Sequence, residues 1–368
     1  MTNSPLLRLA AEPEEARKQK GTVHTPGEIL QQPWLWRETA GRVAAVADRA
    51  EALFRGAEFA VLAGAGSSLH AARMIEDAAR TRFGPRVSSV SCTDLMLDAD
   101  ASLPRDRKGV LFSLSRSGES PEAVEAARVA AERFPELSHV AITCNAQGKL
   151  AKLVGAHPSG LCLALHEKAY DKGLGTTSSV TGTALAGRLL VERAATGRVE
   201  AMASAAEALL DREAPVAERL AALDPDRVVV LGTGPLEFAA QEAAHKVLEL
   251  TDGQVTSMAR SYLEFRHGPI AFINKRTLLV CFVSPDPAVE RYERDFIQQA
   301  QSGDSALQVV PVAPSAERPG EAAPVALIFG QMLALFISLR RGLKPDRPGD
   351  RGLVNPVVQG VTIYPRRP

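Results

Sequence analysis

Short apolar runs recur along this chain, and most are followed by a turn of small residues and then by a longer stretch with helical spacing. Glu58-Phe59-Ala60-Val61-Leu62-Ala63 reads as a strand, Gly64-Ala65-Gly66-Ser67-Ser68 as a tight loop, and Leu69 to Arg82 as a helix. The spacing predicts further strands at 87–91, 109–114, 140–143 and 160–165, with helices ending near Phe134 and running from about Ser178 to Thr196. Strands alternating with helices of this length predict an α/β fold, a parallel sheet covered on both faces. Ahead of them, Gly27 to about Phe54 reads as one helix and residues 1–22 as a loosely held lead-in.

The pattern then restarts. Arg227 to Leu231 reads as a strand, Gly232-Thr233-Gly234-Pro235 as a loop, and Leu236 to Leu250 as a helix. Strands follow near 277–283 and 305–312, and a last long helix near 322–339. The glycine pairs 64/66 and 232/234 occupy matching places, which points to duplication of a whole domain and not to a short repeat. The expected division is a lead-in and helix at 1–54, a first domain at 55–212, a second at 226–355 and a tail at 356–368. The linker falls near Arg212 to Pro225, where charge and Pro215 interrupt the apolar spacing.

Charge changes the picture by exclusion. Lys plus Arg equals Asp plus Glu at 43 each, so bulk charge gives no reason to expect nucleic acid or a membrane surface as partner. Cys92, Cys144, Cys162 and Cys281 are far apart and, mostly in apolar runs, read as small hydrophobes in a reducing compartment. The apolar stretch near Val325 to Leu339 is interrupted by Gly330 and Gln331 and reads as a buried helix. With Glu12 to Lys20 too charged for a leader peptide, the expectation is a soluble cytoplasmic protein.

The candidate chemistry begins at Ser115-Arg116-Ser117-Gly118-Glu119-Ser120, between an apolar strand and the helix that opens at Pro121. Free backbone N–H groups and the positive end of the helix dipole converge there and favour an anion, most often phosphate. A plain helix cap needs only one serine. Asp171 to Ser179 is a second hydroxyl-rich loop before a helix, readable as a ligand loop or as a cap at Ser178 or Ser179. In the second half, Glu242, Lys246 and Glu249 share one face of an otherwise apolar helix, where charges need partners or a function. His267, ahead of Gly268-Pro269, falls on a loop and suits acid–base work near neutral pH.

With these residues in place, the chain resembles the tandem sugar-isomerase (SIS) domain proteins, and more narrowly the AgaS-type amino-sugar-phosphate deaminases, also described as tagatose-6-phosphate ketose/aldose isomerases. The resemblance runs through Glu28-Ile29-Leu30-Gln31-Gln32-Pro33, Leu62 to Ser68, Ser115 to Pro121, Ile142 to Asn145, Thr177-Ser178-Ser179, Lys246 to Thr251, Phe265 to Pro269 and Val357 to Val361. It implies two flavodoxin-like three-layer α/β/α domains and a homodimer. Ser115, Ser117 and Ser120, with Gly66, Ser67 and Ser68, would hold the sugar phosphate, and Arg116 and Ser178 are further candidates. Glu249 would carry a proton between carbons 1 and 2. His267, donated from the neighbouring subunit, would open the sugar ring. Gln359 stands where the related glucosamine-6-phosphate synthase domain has a lysine, and Asp171-Lys172 where this branch has Asp-Arg.

The implied reaction converts galactosamine 6-phosphate to tagatose 6-phosphate and ammonia, with no metal or redox cofactor. Isomerisation of a non-amino sugar phosphate shares the same proton transfer and stays open, as does a sugar-phosphate sensor. A sensor needs the serine loop without Glu249 and His267. A dinucleotide-binding dehydrogenase is disfavoured, because Leu69 stands where its third glycine belongs.

Overall fold

The computed structural model describes residues 4–193, 196–303, 305–349, 355, 357 and 360–364. Its first sheet is parallel, with strands β1 (Phe59–Gly64), β2 (Val87–Ser91), β3 (Gly109–Ser115), β4 (Leu137–Thr143) and β5 (Gly160–Ala164) in the order β2-β1-β3-β4-β5. Every residue of β1 and β3 is buried, as an unbroken apolar run covered by helices on both faces requires. The pairing is close at its start: a Cβ on Gly109 would lie 2.2 Å from the Phe59 ring, so only glycine fits that register. The chain leaves β1 outward to β2, then returns to the other side of β1 to form β3. The crevice at the carboxyl ends of β1 and β3 is therefore the switch point where open α/β sheets bind ligands.

The second sheet repeats this plan with one strand fewer. Strands β6 (Arg227–Leu231), β7 (Thr256–Arg260), β8 (Thr277–Phe282) and β9 (Gln308–Val312) follow the order β7-β6-β8-β9, all parallel. Two parallel sheets with flanking helices bear out the expected α/β architecture. The four cysteines are free thiols, with Cys92, Cys144 and Cys281 buried. The Pro319–Arg340 helix is long and apolar enough to cross a membrane by length and composition, yet 94% of its most apolar window is buried inside the protein. It packs on the Pro235–Leu250 and Thr196–Ala222 helices as a core element.

Two compact units emerge, each discontinuous in sequence. Of the described residues, one gathers 35–170, 182–193 and those within 354–368 around the first sheet; the other gathers 4–34, 171–181 and those within 196–349 around the second. The lead-in is not loosely held. It forms helices at Pro5–Ala11 and Glu14–Lys20, Leu6 is fully buried, and the backbone N–H groups of His24 and Thr25 donate to Asp346 at 3.0 and 2.8 Å. The expected 27–54 helix is two helices, Thr25–Leu30 and Gln32–Phe54. Pro33 has no N–H for the Ile29 carbonyl, and the Gln32 side-chain amide donates to that carbonyl at 3.0 Å instead. The expected linker is also different: the Thr196–Ala222 helix continues through Pro215 and stops short of Asp224, whose φ is +52°.

Candidate active site

In the first-sheet unit, the loop after β3 is shaped by its own serines. Ser115 Oγ accepts from Gly118 N–H at 3.1 Å and Ser117 Oγ from Glu119 N–H at 3.2 Å. Gly118 has φ +62°, a conformation that favours glycine, and a Cβ there would come within 3.3 Å of Thr143 Oγ1. The loop is braced from outside by Asn145 Nδ2 on the Ser117 carbonyl at 2.9 Å and by Leu150 N–H on the Gly118 carbonyl at 3.0 Å. Glu119 turns onto Lys149, accepting its backbone N–H at 3.0 Å. Ser120 is the N-cap of the Pro121–Arg133 helix and makes no side-chain cap bond. Arg116 is largely buried, its guanidinium 5.4 Å over the Tyr170 ring.

The neighbouring loop after β1 has the same character. Gly66 caps the Ser67–Phe83 helix, so Ser67 and Ser68 lie in its first turn and not in a loop. A Cβ on Gly64 would lie 2.4 Å from the Ser68 backbone, so this glycine permits the tight entry. Two helix N-termini without a capping carboxylate thus stand at the carboxyl ends of β1 and β3.

The second-sheet unit holds the charged cluster. On the Pro235–Leu250 helix, Lys246 and Glu242 are both fully enclosed, with Lys246 Nζ 3.2 Å from Glu242 Oε1. Lys246 also pairs with Glu249 Oε2 and donates to Thr176 Oγ1 at 3.2 Å. His245 Nε2 lies 3.0 Å from Glu249 Oε1. Burial pushes the Glu249 carboxyl up, but the Lys246 charge and the His245 hydrogen bond outweigh it and hold it down at about 2. Glu249 is therefore a carboxylate throughout the neutral range. Burial lowers His245 and the Glu249 carboxylate raises it, with a net rise; Lys246 is likewise raised against its own burial by its two glutamates.

His267 sits exposed in the turn after the Tyr262–Phe265 helix, anchored by the fully buried Phe265. Its backbone N–H donates to the Glu264 carbonyl at 2.9 Å, and Gly268 follows at φ +117°. Ser178 has a structural engagement: its hydroxyl donates to the Glu28 carbonyl at 2.7 Å and accepts from Gln31 Nε2 at 2.9 Å. The N-terminus of its helix is filled by Asp171, which accepts from the backbone N–H groups of Thr177, Ser178 and Ser179 at 2.9, 3.0 and 2.9 Å. Gln359 lies outside the described residues.

The sequence reading passed over His245, Thr176 and the buried Glu28. His245 carried a signal, since it stands four residues before Glu249 on a helix. Glu28 Oε1 accepts from Lys172 and Gly173 N–H at 2.6 and 3.2 Å. Burial first, and then the Asp171 charge, push its carboxyl up to about 8.

No family model matches the chain. An AgaS protein of Streptomyces coelicolor is 38% identical over 367 residues, spanning 93% of this chain and 95% of its own length. The D-galactosamine-6-phosphate deaminase AgaS of Shewanella sp. is 32% identical over 95% of this chain and 94% of its own length. The crystal structure of tagatose-6-phosphate ketose/aldose isomerase from Escherichia coli superposes with a TM-score of 0.81 at 30% identity, covering 90% of this chain and 96% of that one.

Proposed function

This chain belongs to the AgaS family of D-galactosamine-6-phosphate deaminases, and from that premise we propose that it converts galactosamine 6-phosphate and water to tagatose 6-phosphate and ammonia. The observation that carries the reading is the likeness to AgaS deaminases over nearly the whole chain. The site chemistry agrees with it. Ser115 and Ser117 at the end of β3 and in the loop after it, with Ser120 and Ser67 at two helix N-termini, hold the phosphate dianion. Glu249, ionised and one-fifth exposed at the side chain, takes the proton from carbon 2 of the open-chain sugar and returns it to carbon 1. One nitrogen-bound hydrogen passes to oxygen 1 in the same step, so carbon 2 becomes an imine. Water adds to the imine and ammonia leaves.

His267 assists ring opening, acting from the partner copy of a homodimer in the cytoplasm. Its exposure on a turn, away from its own core, supports donation across an interface. Co-expression of Glu249→Gln with His267→Ala separates the arrangements. Donation across the interface gives mixed dimers with one working site, and so about a quarter of wild-type activity. Action within one copy gives none.

The decisive assay measures ammonia release from galactosamine 6-phosphate and glucosamine 6-phosphate beside isomerisation of tagatose 6-phosphate. Ammonia appearing one-for-one with ketose is expected. A second reading, plain aldose–ketose isomerisation, is favoured by the likeness to the Escherichia coli isomerase. It stands if tagatose 6-phosphate isomerises and neither amino sugar releases ammonia.

A further inference from the structure

Both oxygens of the Glu249 carboxylate are engaged from their own helix: Lys246 holds Oε2, and His245 Nε2 lies 3.0 Å from Oε1. The two donors differ in kind. An ammonium has three donor hydrogens, and Lys246 faces three partners, Glu242, Glu249 and Thr176. Removing it would strand buried carboxylates at a cost of about 3–5 kcal/mol. Lys246 is thus a fixed part of the fold. His245 and Glu249 have side chains 30% and 20% exposed, whereas Lys246 and Glu242 are fully enclosed.

A carboxylate that moves a proton between adjacent carbons must present one oxygen, at fixed reach, to both. With Oε2 against the buried ammonium, that oxygen is Oε1. A carboxylate oxygen has two lone pairs, so the bond from His245 takes one and leaves the other for substrate. We propose that His245 is a positioning residue for the proton transfer, holding Glu249 Oε1 in its working rotamer. The assignment rests on Glu249 as the proton carrier, and His245 acts through it.

The test compares His245→Phe, which keeps a ring and removes the donor, with His245→Gln, which returns a donor at similar reach, in steady-state turnover of galactosamine 6-phosphate. The expected result is a kcat about 10- to 100-fold lower in the Phe variant with KM changed less than about threefold. The Gln variant should recover to within about fivefold of wild type. Equal losses in both variants, a wild-type kcat in the Phe variant, or a change confined to KM would each overturn the inference. If the Phe variant does not fold, His245→Leu takes its place. Glu249→Gln runs in parallel. Normal turnover there removes the proton carrier itself, whereas a dead Glu249→Gln beside a fully active His245→Phe removes only the role of His245.

Discussion

The loop leaving β3 and the loop leaving β8 hold the same place in their sheets, yet they treat the helix that follows in opposite ways. The glycines of the adjoining loops agree closely: Gly66 has φ, ψ of 54°, −128° and Gly234 has 60°, −128°. The divergence lies in the next crossover. After β8, Asp286 caps its helix by accepting from Ala288 N–H at 2.9 Å, and the fully buried Glu293 accepts from Ser284 N–H at 2.7 Å. After β3 the cap is Ser120, which makes no such bond, and the preceding Glu119 is drawn off to Lys149. A duplicated backbone thus carries a helix cap without a side-chain bond in one copy and a carboxylate cap in the other. The difference lies in whether a carboxylate is supplied from within the chain.

The comparison breaks most sharply if the first loop is given the second loop's device. Ser120→Asp should raise KM for galactosamine 6-phosphate at least 100-fold, about 3 kcal/mol, while the protein melts no lower than wild type. An unchanged KM would remove the phosphate from this loop.

The two units should also answer pH in opposite directions. In the second-sheet unit, Glu28 keeps its proton when folded up to about 8 and loses it near its ordinary 4.5 when unfolded. Stability from this group is therefore complete at acid pH and is lost as pH rises through that window. In the first-sheet unit, burial and then the His157 ring, 4.6 Å away, hold His139 down at about 4 against an ordinary 6.5. Its contribution is present above the ordinary value and fades as pH falls from there towards 4. Glu28→Gln should flatten the loss between about 4.5 and 8, by up to about 5 kcal/mol, and His139→Leu the loss below 6.5, by up to about 3 kcal/mol, in denaturant titrations across pH. Parallel slopes in variant and wild type would contradict both.

The smallest effect is the converse of the first. Asp286→Ala should cost about 1 kcal/mol of stability and leave KM unmoved. A raised KM would place substrate near the second loop as well.

These contrasts were legible in unequal measure. Continuous apolar runs such as 59–63 and 228–231 announce strands buried on both faces, and the glycine pairs announce the duplication. β7 escaped notice because Thr256-Ser257-Met258-Ala259-Arg260 is a half-exposed edge strand with little apolar signal. The serine loop could be read locally, since strand, loop and cap adjoin in sequence. The engagement of Ser178 could not: it depends on Glu28 and Gln31, separated from it by 150 and 147 positions. The same holds for Thr176, whose hydroxyl meets Lys246 across 70 positions. Side-chain chemistry names what a residue can do, and only tertiary contact decides which partner claims it.

The bond network around Asp346 sets a timetable for synthesis. The first turn at Thr25 finds its acceptor 321 residues later, so the opening helices emerge from the ribosome long before their anchor exists. Ile29, enclosed in the finished molecule, sits on a helix that packs on Pro319–Arg340 and must wait in water or with a chaperone until that helix has been made. The first sheet has no such delay, since its five strands lie within 59–164. A nascent chain stopped before Asp346 would hold every strand of both sheets and an opening segment still lacking its acceptor.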